Sequence, residues 1–344
     1  MDRVAHKFVE VNGVKIHLAE VGNESSPVVV FVHGFPEIWY SWRHQMIAVA
    51  DAGFRAISLD CRGYGLSDPP PVTEKFAFSD ISEDLLAIID SLGIDKIFIV
   101  TKDAGVRPSF LFTIRYPTRV TGVISLGIPH TPFVPPTFLS LLPEGFYINR
   151  WREPGRAEAD FGRFDAKTIV RNIYILFSRN EIPIAGENQE IMDLVDSSTP
   201  LPSWLTEEDI SVYGSLYEKS GFLNPLKVPY RSIDEVYDDI QDPVIKNPML
   251  FVVPEKDYFL KFPGVEDVIK SGMIHHFASK LEVEHVPEGS HFVQEQFPDK
   301  INTLIIAFLL SFLDIMSSGF TIMRMFAMTF LDILGVDNFD LLVR

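Results

Sequence analysis

The pentapeptide Thr101-Lys102-Asp103-Ala104-Gly105 puts a carboxylate between the apolar run IFIVTK and a segment of helical character. A strand that turns sharply into a helix lifts one side chain above its sheet, and the small residues around Asp103 keep such a turn clear of its own helix. A carboxylate raised in this way can act as a nucleophile and form a covalent ester. An Asp that merely caps the next helix has the same local sequence, and the pentapeptide alone does not choose. Two later residues bear on the choice. Asp257 follows PMLFVVPEK and His291 follows LEVEHVPEGS, each just past a strand-like run. Nucleophile, acid and histidine then come in a chain order that lets the acid orient the histidine as a base.

The chain has nine histidines, so His291 has competitors. His6, His17 and His285 lie within strand patterns, and His44, His275 and His276 read as helix-face residues. His33 and His130 lie near the expected site and are better explained by loop packing. Only His291 has the right position after the last strand.

The elements around these residues alternate. HKFVEV (6–11) and VKIHLAEV (14–21) flank Asn12-Gly13, a strong two-residue hairpin signal. VVVFVHG (28–34) reads as a strand buried on both faces. A helical segment around 39–52 leads to RAISLD (55–60), and a helix near 80–92 leads to IFIVTKD (97–103). Another helix precedes VTGVISLGI (120–128). The rhythm stops after Pro129: residues 130–240 are rich in Pro and aromatics, with helical patches and no clear strand. Strand signals return at 248–253 and 281–289, and a last helix begins near Pro298. The expected class is α/β, a mostly parallel central sheet with helices on both faces and a helical insertion.

With 344 residues the chain exceeds one average domain of about 150 residues. Hydrophobic residues make up 47% and charged residues 22%, enough for a large core. The net charge of −17 leaves no electrostatic footprint for nucleic acid or anionic lipid. Cys61 is the single cysteine, which excludes a disulfide framework and fits a reducing, cytoplasmic setting. No targeting peptide is visible. The apolar run INTLIIAFLLSFL (301–313) has 13 residues before Asp314, fewer than the roughly 18 of a membrane span.

Six segments resemble the soluble epoxide hydrolases of the α/β-hydrolase fold, the plant branch in particular. They are HGFPEIWYSWRHQM (33–46), DCRGYGLSD (60–68), the elbow, FYINRWREPGRAEADF (146–161), SWLTEEDISVYGSLYEKSGF (203–222) and EGSHFVQEQFP (288–298). The resemblance covers roughly residues 5–313. It implies a core of 1–129 and 241–313, a cap of 130–240, and an apolar extension at 314–344 that the family pattern does not require. It further implies Asp103 as nucleophile, Asp257 as acid and His291 as general base. Tyr147, before the EPG turn, and Tyr230, in VPYRS, would be the cap phenols that hydrogen-bond an epoxide oxygen. Backbone N–H groups of Phe35 and Ala104 would form the oxyanion hole, and His33, Pro36 and Trp39 would border the substrate pocket. The resemblance implies a vicinal diol as product, with no metal or organic cofactor. A small apolar epoxide and water are the expected partners of a monomer or homodimer.

The elbow departs from the family's usual Gly-His-Asp-Trp-Gly. Ala104 keeps the N–H but removes an aromatic wall, Thr101 puts a β-branched residue where Gly is usual and is an expected source of strain in the turn, and Lys102 brings a cation next to the nucleophile or out to solvent. Pro254 replaces a usual Gly before the acid loop. Two other readings stay open at this point. A haloalkane dehalogenase shares the Asp nucleophile but commonly holds the halide with a Trp where this chain has Ala104. A catalytically weak, ligand-binding relative of the fold is the other.

Overall fold

The computed structural model describes residues 2–70, 76–131 and 138–316. Eight strands form one sheet in the order β1-β2-β4-β3-β5-β6-β7-β8. They are β1 (Ala5–Val11), β2 (Val14–Val21), β3 (Val28–Val32), β4 (Arg55–Leu59), β5 (Ile97–Lys102), β6 (Val120–Leu126), β7 (Met249–Pro254) and β8 (Leu281–Val286). β1–β2 and β2–β4 are antiparallel, and every later pairing is parallel. Asn12 and Gly13 both take positive φ, 49° and 74°, as a two-residue hairpin turn with matching twist requires. All five residues of β3 are buried, so its uniform apolar run reports two covered faces.

Helices α1 (Arg43–Asp51), α2 (Phe78–Ser91) and α3 (Val106–Arg115) fall between the core strands. α2 packs with α3, and α1 with the C-terminal helix Pro298–Met316. The alternation of β5 shows that these pairs lie on opposite sides. The Phe98 ring meets Phe312 of the C-terminal helix at 5.5 Å, while Thr101 bonds to Ser109 of α3. The expected helix over 39–52 divides: a tight turn over Trp39–Trp42 precedes α1. Most of the extension expected at 314–344 lies outside the described residues. Among the described residues, no helix is long and apolar enough to cross a membrane.

Between β6 and β7 the described chain is helical, with α4 (Tyr147–Arg152), α5 (Arg156–Phe161), α6 (Ala166–Phe177) and α7 (Glu207–Ser220). α7 begins with a reciprocal cap, in which the Thr206 hydroxyl accepts the Asp209 N–H and Asp209 accepts the Thr206 N–H. α6 packs on α7. A buried polar cluster fastens this pair to the core. Arg43 of α1 reaches Asp209 at 3.0 Å and Glu295 at 2.5 Å, and the hydroxyls of Tyr174 and Tyr213 donate to Glu295. Tyr40 donates to Asp209 at 3.0 Å.

This cluster gives an acid-sensitivity prediction. Burial pulls the Asp209 carboxyl up, but the Thr206 bonds and the Arg43 charge outweigh it and hold it below the usual range. A lowered folded value means stability present above about pH 4 and lost as pH falls through that value. Asp209→Asn should therefore cost about 1 kcal/mol at neutral pH and flatten the loss of stability below about pH 4. Thermal unfolding at pH 7 and pH 3 checks this; an equal acid loss in both proteins would refute it.

Candidate active site

β5 ends at Lys102, and the chain turns at Asp103 into a tight turn (Asp103–Gly105) that runs on into α3. Asp103 has φ 47°, one of two non-glycine positive values among the described residues. Such a backbone costs of order 1–3 kcal/mol and persists where the surroundings enforce it. The enforcement is visible. A Cβ on Gly105 would lie 2.5 Å from the His33 carbonyl oxygen, so the turn passes directly against β3 and its following loop. A Cβ on Gly34 would lie 2.3 Å from Asp103 Oδ2, so only glycine leaves room for the carboxylate. The strain expected at Thr101 is absent: Thr101 sits in the strand, fully buried, with its hydroxyl 3.1 Å from that of Ser109. Strain falls on Asp103 itself.

The Phe35 N–H donates to Asp103 Oδ2 at 2.8 Å. The other oxygen, Oδ1, faces His291 Nε2 at 3.8 Å. His291 Nδ1 is 3.1 Å from both oxygens of Asp257, which is 1% exposed. Nδ1 is therefore the protonated nitrogen, donating to Asp257, and Nε2 is the basic one turned toward Asp103. Asp257 is held by the Phe259 N–H at 3.0 Å, and Gly127, at φ 80°, leaves the space for its Oδ2. Pro254 ends β7 against Gly289, where a Cβ would lie 2.9 Å away.

Tyr147 and Tyr230 are buried with ring centroids 5.9 Å apart. The Tyr230 ring stands edge-on to Phe35 at 5.6 Å and to Trp151 at 5.0 Å. Burial pushes both phenols well above their ordinary pKa, and the Asp103 charge adds to it. Both stay protonated at neutral pH. The arrangement thus pairs a carboxylate and a base with two buried O–H donors.

Lys102 points inward. It is 2% exposed, with Nζ 3.4 Å from Glu37 Oε2 and 4.8 Å from the Phe292 ring centroid. Glu37 also accepts the Gln294 amide at 2.5 Å and the Gly34 N–H at 3.3 Å. The sequence did not single out Glu37, Gln294 or Tyr258, whose hydroxyl is 3.3 Å from that of Tyr147. Closeness in the chain to His291 and to Asp257 was the available signal for Gln294 and Tyr258, but Glu37 comes from a separate loop.

Among the expected pocket residues, His33 is buried beside Tyr64, its Nδ1 on the Gly34 carbonyl and its Nε2 accepting the Cys61 N–H. Burial lowers its pKa, consistent with this neutral tautomer. Pro36 is buried after a cis peptide bond. Trp39 goes elsewhere: its ring packs on His6, His17 and Tyr40, toward the β1–β2 edge of the sheet. His130 packs on Phe110 with Nε2 on the Pro243 carbonyl, and burial lowers it to about 4.

The family model of the α/β-hydrolase fold matches residues 27–150. Epoxide hydrolase 1 of Siraitia grosvenorii is 36% identical over 321 residues, 91% of this chain and 100% of that protein. Epoxide hydrolase A of Mycobacterium tuberculosis is 29% identical over 322 residues, 90% of this chain and 98% of that protein. An epoxide hydrolase crystal structure from Vigna radiata aligns with TM-score 0.82 at 32% identity, covering 90% of this chain and 99% of that one. Potato epoxide hydrolase I aligns with TM-score 0.81 at 29% identity and the same coverage. Sheet order, elbow and these alignments define an α/β-hydrolase. Within that fold, the chain belongs to the plant-type epoxide hydrolase family.

Proposed function

We propose that the protein opens a small apolar epoxide to a vicinal diol through an ester on Asp103, with the segment 130–240 acting as a cap over a core formed by 1–129 and 241–313. The carrying observation is the split use of the Asp103 carboxylate: Oδ2 is held by the Phe35 N–H while Oδ1 faces the basic nitrogen of His291. Oδ1 attacks an epoxide carbon, the C–O bond breaks, and the oxygen takes a proton from a cap phenol, Tyr147 or Tyr230. An epoxide oxygen is a poor leaving group without such a donor. His291 then takes a proton from water, whose oxygen adds to the Asp103 carbonyl carbon. The Phe35 N–H, joined by that of Ala104, stabilises the charge on Oδ2. Cleavage releases the diol and restores the phenol. The sequence of steps needs no metal or organic cofactor.

The dehalogenase reading lacks its halide donor at Ala104, and paired phenols serve a developing alkoxide better than a halide. A single turnover with excess enzyme, a styrene-type epoxide and heavy-oxygen water separates the mechanisms. The diol should be unlabelled and the Asp103 peptide should gain one heavy oxygen. Heavy oxygen in that first diol, or chloride release from haloalkanes with no diol from any epoxide, would sink the proposal.

A further inference from the structure

Two phenols are expected near the reacting oxygen, but a third buried phenol lies behind them. Tyr258 directly follows Asp257 and is 3% exposed. Its ring centroid is 4.8 Å from that of His291 and 5.2 Å from that of Phe177. Its hydroxyl lies 3.3 Å from the Tyr147 hydroxyl, its one hydrogen-bond partner among the described residues. A buried phenol with a single partner must settle its one proton against that partner. If Tyr147 directs its O–H to the epoxide oxygen, the proton between the two phenols has to come from Tyr258.

We infer that Tyr258 is a positioning residue that acts through Tyr147, donating to its oxygen and thereby both aiming its O–H and making it a better acid. This rests on the epoxide-opening reading above. Burial raises Tyr147, and the Tyr258 bond works against that rise. A solitary phenol in an apolar wall gives up its proton reluctantly, because the phenolate left behind has no solvent. A neighbouring O–H supplies the missing stabilisation. The observed 3.3 Å is longer than the 2.7–2.8 Å usual for O–H···O. The contact shortens as negative charge develops on the Tyr147 oxygen, since charge-assisted bonds are shorter and stronger. The proton balance closes. Tyr147 transfers its proton to the alkoxide during ring opening, Tyr258 keeps its own while donating to the phenolate, and the proton released in ester hydrolysis returns to Tyr147 through His291. Tyr258 therefore affects ester formation and not ester hydrolysis.

Rapid-quench kinetics on Tyr258→Phe, with ester and diol measured separately, tests this. Ester formation should slow about tenfold, the size of one charge-assisted hydrogen bond, with ester hydrolysis within about twofold of wild type. In a Tyr147→Phe background, adding Tyr258→Phe should change ester formation no further, because the group it acts through is gone. Equal slowing of both steps, a further loss in the double variant, or a wild-type rate of ester formation would each overturn the inference. Tyr258→Met, with a flexible apolar chain in place of the ring, carries the same comparisons if the Phe variant does not fold. A wild-type protein that forms no ester with any epoxide would fail the parent reading itself, which distinguishes the two failures.

Discussion

His291→Gln should react once with an epoxide and then stall, with one equivalent of substrate esterified to Asp103. The reason lies in which atoms each step uses. In the proposed reaction, ring opening uses Asp103 Oδ1 and a phenolic proton, while Oδ2 accepts the Phe35 N–H. None of these depends on the imidazole. Ester hydrolysis needs a base beside the carbonyl carbon, and His291 Nε2, at 3.8 Å from Oδ1, is placed for that task. A positioned general base contributes about 10²–10⁴-fold, so steady turnover should fall by about 10³-fold while the first turnover stays near the wild-type rate. Gln keeps a polar side chain of similar reach to Asp257, which protects the buried carboxylate from losing its partner altogether. Intact-mass measurement should show the protein heavier by one epoxide, and peptide mapping should place the adduct on Asp103. Asp103→Asn should show neither adduct nor diol. Steady turnover within tenfold of wild type in His291→Gln, or an adduct at another residue, would remove Asp103 and His291 from these roles.

Asp103, Asp257 and His291 could be picked out of the sequence because each sits at a place that periodicity can find. Uniform apolar runs mark β3, β5 and β7 as strands buried on both faces, and Asp103 and Asp257 come within three residues of a strand end. β8 was readable for a different reason: as an edge strand it alternates exposed and half-buried positions over LEVE. What lies between elements was much less legible. Trp39 was expected on the pocket wall, yet the tight turn before α1 carries its ring to His6 and His17. A shift of one turn in a short segment redirects every side chain, and no period records it. Tyr258 has the same difficulty, because it opens a single short turn, Tyr258–Lys261, too brief for a period to show. Thr101 shows the converse. Its β-branched side chain was expected to strain the elbow, but period two sends it to the α3 side of the sheet, where the Ser109 hydroxyl donates to it. That same alternation sends Lys102 the other way, into the molecule and not to solvent. The partners it finds there, the Glu37 carboxylate and the Phe292 ring, come from 65 residues before it and from far after it, and no local pattern could name them.

Lys102→Met should destabilise the protein by about 3–5 kcal/mol, although methionine fits a long buried slot and adds no polar atom. Lys102 and Glu37 are 2% and 0% exposed at the side chain, so neither charge has water to fall back on. Removing the ammonium leaves Glu37 with the Gln294 amide and the Gly34 N–H and with no opposing charge. Desolvation of an uncompensated carboxylate dominates over the lost Coulomb attraction in deciding the size of the effect. For a domain of this size each kcal/mol moves the melting temperature by about 2–4 °C, so a fall on the order of 10 °C is expected. The partner substitution separates charge from packing. Lys102→Met combined with Glu37→Gln removes both charges and keeps the Gln294 and Gly34 contacts, and it should recover most of the loss. The same pair joins three segments of the site: the elbow through Lys102, the loop that presents the Phe35 N–H through Glu37, and the His291 loop through Phe292 and Gln294. Restored stability in the double variant should therefore come with restored ester formation, because the loops regain their register even though the ion pair is gone. Melting curves and single-turnover rates on both single variants and the double complete the cycle. A loss under about 1 kcal/mol for Lys102→Met, or a double variant no more stable than that single one, would show that the pair does not hold these loops.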